Sequence, residues 1–255
     1  MDRKAWIGSL AVLVIFLAAW QWGPGLLGMP EFILPSLGRV VVEFRRMAAE
    51  DLWMHSGITA LEIVVGFVLG ALLGVVVGVA LGLSPRAEAV LSPYILALQI
   101  APKVAFAPLF VMWLGYTVYP KILVAVLIVF FPIMVNVLSA IRTVDPDMIN
   151  LVRTLNGRRL QIFRLVEFPS AMPALFSGLR IGSTLAVIGV TVGELVGGNL
   201  GLGFLLVSSE GQGNTAAVFV TIIMLTLIGI VAYGAVVWAE QRVLHYLPKA
   251  QHATV

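Results

Sequence analysis

From Ile58 to Leu83 the chain is interrupted by a single charged residue, Glu62. About 20 apolar residues cross the hydrocarbon core of a bilayer. Within that core only a helix or a closed barrel satisfies every backbone donor and acceptor. Comparable runs extend from Ala5 to Trp20, Leu91 to Leu114, Ile122 to Leu138, Ala174 to Val196 and Thr215 to Trp238. The sequence therefore predicts an all-α, polytopic membrane protein of about six transmembrane helices. Composition agrees: 60% of residues are hydrophobic and 11% charged, against roughly half and a quarter in soluble domains. The net charge of +3 does not point to nucleic acid, because the basic residues flank hydrophobic runs and read as topology signals. There is no cysteine, which excludes disulfides and thiol chemistry. His55, His245 and His252 stand apart in sequence, with no metal-ligand spacing.

The second run carries Gly66, Gly70, Gly74, Gly78 and Gly82 at four-residue spacing. Such a strip lets another helix approach closely where lipid gives no hydrophobic drive to association, and tight packing is all the spacing demonstrates. Glu62 reads as an interfacial carboxylate near the outer end. The first run follows Arg3 and Lys4 and is expected to be an uncleaved span rather than a signal peptide, with Trp20 and Trp22 at the far interface. Residues 23–56 are too polar to span; the stretch from Val40 to His55 is amphipathic and helical in period, suited to an interface.

The third run contains Pro93, Pro102 and Pro108 around Lys103. Proline removes a backbone donor and kinks a helix. A lysine inside a span costs about 2.5–3.5 kcal/mol on insertion scales. This segment is expected to face protein or water, with Lys103 either lining a path or buried structurally. By the same argument Gln99, Asn136, Ser183, Thr184 and Glu194 are candidate translocation-path residues, each equally able to be a structural hydrogen-bonding group. Residues 115–121, including Lys121, read as an outer turn. Residues 199–214 read as an outer loop or a re-entrant hairpin.

The polar interruption from Val144 to Pro173 stands out in so lean a chain, with Arg153, Arg158, Arg159, Arg164, Asp145, Asp147 and Glu167. Asp145-Pro146-Asp147 opens it as a helix start, with a cap, proline at the first position and acid in the first turn. A short helix is expected from Met148 to Leu155, stopped by Asn156-Gly157. A second is expected from Arg158 to Val166, ended by Pro169 and Pro173. Counting basic residues puts this loop on the inner side with both termini: Arg3, Lys4, Arg86, Arg142, Arg153, Arg158, Arg159, Arg164, Arg180, Arg242 and Lys249 lie there, against Arg39, Arg45, Arg46 and Lys121 on the other side.

On these residues the segment resembles the EAA loop of permease subunits of bacterial ABC importers, patterned E-A-A-x3-G-x9-I-x-L-P. Aligned on Pro169, Asn150-Leu151-Val152 falls at E-A-A, Asn156 at G, and Val166-Glu167-Phe168-Pro169 at I-x-L-P. The acidic position is Asn150 here, and the glycine is displaced by one, to Gly157. PEFILPS, PKVAFAPLFVMWLG, FFPIMVN, VDPDMINLVRTL, FPSAMPALFSGLRIG and VGELVGGNLGLGFLL are together similar to nitrate/sulfonate/taurine-type permeases. PKVAFAPLF is also similar to members carrying thiamine-pyrimidine precursors or riboflavin.

The resemblance implies a type I ABC importer permease fold with a cytoplasmic coupling loop between spans four and five. The implied ATPase-coupling residues are Asp147, Asn150, Leu151, Val152, Arg153, Thr154, Leu155, Asn156, Gly157, Ile162 and Phe163. It further implies a homodimer in the inner membrane, two cytoplasmic ATPase subunits and a periplasmic substrate-binding protein. No cofactor is expected on this chain. It has no G-x4-G-K-[ST] phosphate loop, so ATP and Mg would belong to the ATPase, and the chain would be a transport subunit rather than an enzyme. The expected organisation is a first span with a periplasmic segment over 1–56, a permease core over 57–245 and a tail over 246–255. Two rival classes are an ion-coupled secondary transporter, which needs its own ion site, and a membrane enzyme, for which the spans offer no paired carboxylates, His cluster or nucleophile elbow.

Overall fold

The computed structural model describes the backbone of residues 3–245 and the side chains of 6–245. The expected tail 246–255, with Lys249 and His252, lies outside the described residues, as do the side chains of Arg3 and Lys4. Among the described residues the secondary structure is helical throughout: α1 (Arg3–Leu26), α2 (Leu37–Ala49), α3 (Leu52–Leu83), α4 (Pro85–Ile100), a 3-10 turn (Lys103–Phe106), α5 (Ala107–Leu114), α6 (Val118–Arg142), α7 (Pro146–Thr154), α8 (Arg159–Ile162), a π turn (Phe163–Glu167), α9 (Phe168–Gly197), α10 (Leu202–Gly211) and α11 (Thr215–Val243). The chain divides into two compact units, residues up to 59 with 199–226, and 60–198 with 227 onward.

In the second unit α6 is the axis. A Cβ added to Gly66, Gly70, Gly74, Gly78 or Gly82 would meet Ala125, Val129, Phe130 and Ile133, Met134 and Val137, or Ile141 respectively. The order of these contacts makes α3 and α6 parallel. On another side α9 runs antiparallel, with Gly178 against Ile133 and Asn136, Gly182 against Ile133 and Val129, Gly189 against Ala125, and Gly193 against Lys121. Ala125, Val129 and Ile133 are fully buried, so α6 is gripped by glycines of two helices.

The parallel pairing also bears on the span count. Residue 83 lies level with the end of α6, and residue 118 marks its start. At about 1.5 Å per residue, the length of α6 separates these points by more than the roughly 30 Å of a hydrocarbon core. The connection between them must cross the bilayer, so α4 and α5 together are one broken span, bent by 79°. With five unbroken helices long and apolar enough to cross a membrane, this gives six candidate spans among the described residues.

The break corrects the expectation of a single kinked span from Leu91 to Leu114. Of the three prolines only Pro102 interrupts the helix, by driving Ala101 into extended backbone (φ −52°, ψ 134°). Pro93 is accommodated inside α4, and Pro108 occupies the first turn of α5. The amphipathic helix also ends sooner than expected, at Ala49, and α3 begins at Leu52. Pro169 and Pro173 do not terminate a second loop helix; both lie within α9.

In the first unit, Trp20 donates from Nε1 to the Pro35 carbonyl (3.1 Å), and Gly38 N–H donates to Gln21 Oε1 (2.8 Å), joining the end of α1 to α2. The stretch left open as loop or hairpin contains α10, whose entry residues donate to α3 side chains. Gly201 N–H reaches His55 Nδ1 (2.9 Å) and Leu202 N–H reaches Thr59 Oγ1 (2.8 Å). These side chains serve donors that a helix start leaves without internal partners.

Candidate functional site

The loop between α6 and α9 is built from local chemistry. Asp145 caps α7 by accepting from Asp147 N–H (2.9 Å), and Pro146 occupies the first turn, where no donor is needed. At the other end Asn156 adopts φ 58°. Gly157 N–H donates to the Val152 carbonyl and Asn156 N–H to that of Arg153, both at 2.9 Å. This is the paired bonding of a Schellman cap. It explains why the glycine is displaced by one. The left-handed position is taken by asparagine, and Gly157 must lack a Cβ because one would strike the Val152 side chain and carbonyl.

The cap leaves Met148, Leu151 and Leu155 exposed, Leu155 by 75%. Their i, i+3, i+7 spacing puts them on one helix face. Asp147, Asn150, Arg153, Thr154 and Asn156 are exposed beside them, while Val152 and Gly157 are half-buried. Ile162 and Val166 are buried at 3% and 5% exposure and Phe163 is half-buried. Ile162 and Val166 of the second loop segment thus face inward, and of the expected coupling residues Ile162 is the buried one.

Between α8 and α9 the helix widens into a π turn, in which Phe168 N–H donates to the Phe163 carbonyl. In α geometry the Pro169 ring would collide with the carbonyl four residues back, and widening the turn relieves that. Arg159 Nη1 reaches across the turn to Glu167 Oε1 (2.7 Å). The other Glu167 oxygen is buried without a hydrogen-bond partner. The loop therefore joins two long helices through one capped turn and one pinned turn.

The candidate path residues do not converge. Lys103 is half-exposed; its Nζ donates to the Gln99 carbonyl (2.6 Å) and lies 4.8 Å from the centre of the Phe131 ring. It therefore caps the C-terminal end of α4 at the break, where a cation suits the helix dipole. The Gln99 side chain is exposed. Asn136 lines a cavity of about 280 Å³ with Ser139, Thr143 and Ser170. Ser183 is buried, donates to the Arg180 carbonyl (2.8 Å), and borders an apolar cavity among α3, α9 and α11. Thr184 is exposed, and Glu194 is buried at 1% exposure.

A feature that sequence reading missed lies where α3 meets the start of α6. Lys121 Nζ and Glu62 Oε1 are 2.8 Å apart, with side chains 2% and 3% exposed. Both are buried between helices: Lys121 belongs to the first turn of α6 rather than to an outer turn, and Glu62 faces it across the helix contact. Glu62 Oε2 has no hydrogen-bond partner. The signal available in sequence was a carboxylate one turn before the glycine strip, but its partner is far along the chain.

Long apolar helices packed through glycine, a broken span and a short capped helix exposed between two spans define a membrane permease subunit. The chain belongs to the family described as binding-protein-dependent transport system inner membrane component, whose model matches residues 66–245; it is an ABC permease of the nitrate/sulfonate/taurine type. It is similar to the riboflavin transport system permease protein RibX of Chloroflexus aurantiacus, with 41% identity across 91% of this chain and 88% of that protein. It is also similar to the formylaminopyrimidine transport permease protein ThiX of Halalkalibacterium halodurans (31% identity; 92% and 94% covered). The putative aliphatic sulfonates transport permease protein SsuC of Escherichia coli is 32% identical, over 96% of this chain and 95% of its own length.

Proposed function

We propose that this chain is the membrane-spanning subunit of an ATP-driven importer. It would pass a small solute from a periplasmic binding protein to the cytoplasm by alternating access. The observation that carries this reading is the exposed face of α7, Met148, Leu151 and Leu155, held out by the Asn156-Gly157 cap on a loop tethered to α6 and α9. A soluble ATPase seated on that face would displace α7 as it closes. The displacement would reach the spans because α6 is gripped along its length by glycines of α3 and α9. Two copies of the chain would form the path, each engaging one ATPase subunit, with ATP and its Mg²⁺ held on the ATPases. Both termini and the loop would then be cytoplasmic, with 57–245 as the working core. The relatives' names divide between sulfonates and the heterocycles riboflavin and formylaminopyrimidine, and the solute belongs to one of these groups.

Burying a leucine side chain contributes about 1.5–3 kcal/mol. Leu155→Asp should therefore weaken ATPase binding to permease-containing membranes at least tenfold (about 1.4 kcal/mol) while the permease stays inserted. Unchanged co-purification of the ATPase would count against α7 as the docking helix.

A further inference from the structure

We propose that Arg159 and Glu167 are positioning residues of the transport cycle: their bridge stiffens the π turn, so that a displacement of α7 reaches α9 instead of being taken up at the turn. This rests on the permease reading above for a partner that moves α7, and it assigns the transmission to two side chains outside the docking face.

The two connections of α7 to the long helices differ in build. Toward α6 the link is short. Thr143 Oγ1 donates to the Ser139 carbonyl (3.0 Å), Val144 is buried and Asp145 already caps α7. Toward α9 the chain passes through the Asn156-Gly157 turn, the four residues of α8 and the π turn, and then meets Pro169 and Pro173 in the first turns of α9. Each proline removes a backbone donor, and single π turns within helices recur at functional sites. The close glycine packing of α9 on α6 begins at Gly178. Before it, Ser170 and Pro173 border the cavity of about 280 Å³ shared with Asn136, Ser139 and Thr143. Close-packed contacts transmit strain; a helix beside a cavity has room to shift. The stretch from α8 to Gly178 is therefore the compliant part of the route.

The bridge crosses the start of that stretch. Arg159 Nη1 lies 2.7 Å from Glu167 Oε1, with the Glu167 side chain 5% exposed and that of Arg159 54%. Ordinary helical pairs lie three or four residues apart. This one lies eight apart and spans the whole π turn, so it holds the shape of the turn rather than one helix face. A charge-assisted bond is about twice as strong as a neutral one, and a partly buried pair is screened less than an exposed one. Glu167 Oε2 is buried without a hydrogen-bond partner, so Arg159 compensates a carboxylate that would be strongly unfavourable there unpaired. Ile162 and Val166 are buried between the two bridge residues, which seats the turn from within while the bridge ties it from outside.

The test uses the complete permease–ATPase complex in lipid nanodiscs, with hydrogen exchange followed by mass spectrometry before and after trapping with ATP and vanadate. In the parent, trapping should change exchange at least about threefold both in α7 and in the first turns of α9, residues 168–176. Arg159→Ala should confine the change to α7, with the ATPase still bound. Arg159→Ala/Glu167→Gln, which leaves no buried charge unpaired, should do the same and controls for misfolding. Arg159→Lys should keep the α9 response, because a single contact needs only a point charge. An α9 response that persists in both variants lacking a cation at 159 overturns the proposal. So does a parent in which α7 responds and residues 168–176 do not, or an Arg159→Lys protein as silent as Arg159→Ala. Loss of the ATPase from those variants alone would make Arg159 a docking contact and overturns it too. An ATPase that fails to bind the parent would instead refute the importer reading itself, and is told apart because the unaltered chain fails.

Discussion

Replacing Lys121 with Met tests whether the buried pair couples α3 to α6. Lys121 and Glu62 are 2% and 3% exposed at the side chain and 2.8 Å apart. Glu62 Oε2 is buried without a hydrogen-bond partner. Removing Lys121 takes away the donor to the other oxygen and strands a carboxylate in an apolar bundle. Breaking one side of a buried pair costs about 3–5 kcal/mol, whereas replacing both sides with apolar groups is often neutral or stabilising. At about 2–4 °C per kcal/mol for chains of 150–250 residues, Lys121→Met should lower the apparent Tm in detergent by on the order of 10 °C. The double variant Glu62→Leu/Lys121→Met should recover most of that loss. The assay is the fraction of monodisperse protein left after heating, followed by size-exclusion chromatography. A Lys121→Met protein as stable as the parent, or a double variant no better than that single variant, would refute the reasoning.

Two further predictions concern caps and ties outside the spans. Ala at Gly157 would drive a Cβ against Val152; overpacking of this kind costs about 1–3 kcal/mol, so amides 152–157 should exchange hydrogen roughly 5- to 100-fold faster, whereas Asn156→Gly should leave them protected. Glu43 accepts from Arg46, which with the Asn214 amide holds its carboxyl below the usual glutamate range, against the raising effect of burial. A lowered folded pKa gives stability that is present above the ordinary value, about 4.3, and lost as pH falls through the folded one. Acidification through that window should therefore raise proteolytic nicking near residues 43 and 214, and Glu43→Gln should be nicked to the same extent at every pH.

The spans were legible because lipid imposes one simple demand, a long apolar helix, and Ile58–Leu83 meets it in full view. The loop was legible because its caps are local: Asp145-Pro146 and Asn156-Gly157 each act within a turn. What escaped depends on distant partners or on a choice among equals. Nothing near Glu62 announces Lys121, and a lysine beside two tyrosines and a proline reads as an outer turn until α3 is laid on α6. Three prolines surround Lys103, and sequence alone does not say that Pro102 alone breaks the helix. Pro169 and Pro173 read as stops; both lie within α9, and the π turn ahead of Pro169 makes room for its ring. Ile162 entered the coupling set through the family resemblance alone, and its burial at 3% exposure was not legible in the sequence.

The central claim is that energy reaches the spans from a partner ATPase through α7. It is tested most directly by solute accumulation in vesicles carrying the permease and its binding protein, with and without the ATPase, under ATP and under an imposed proton or sodium gradient. The account predicts accumulation only with ATPase and ATP together, and its loss in Leu155→Asp. Gradient-driven accumulation in vesicles lacking the ATPase would contradict it and would make the chain a self-sufficient secondary transporter.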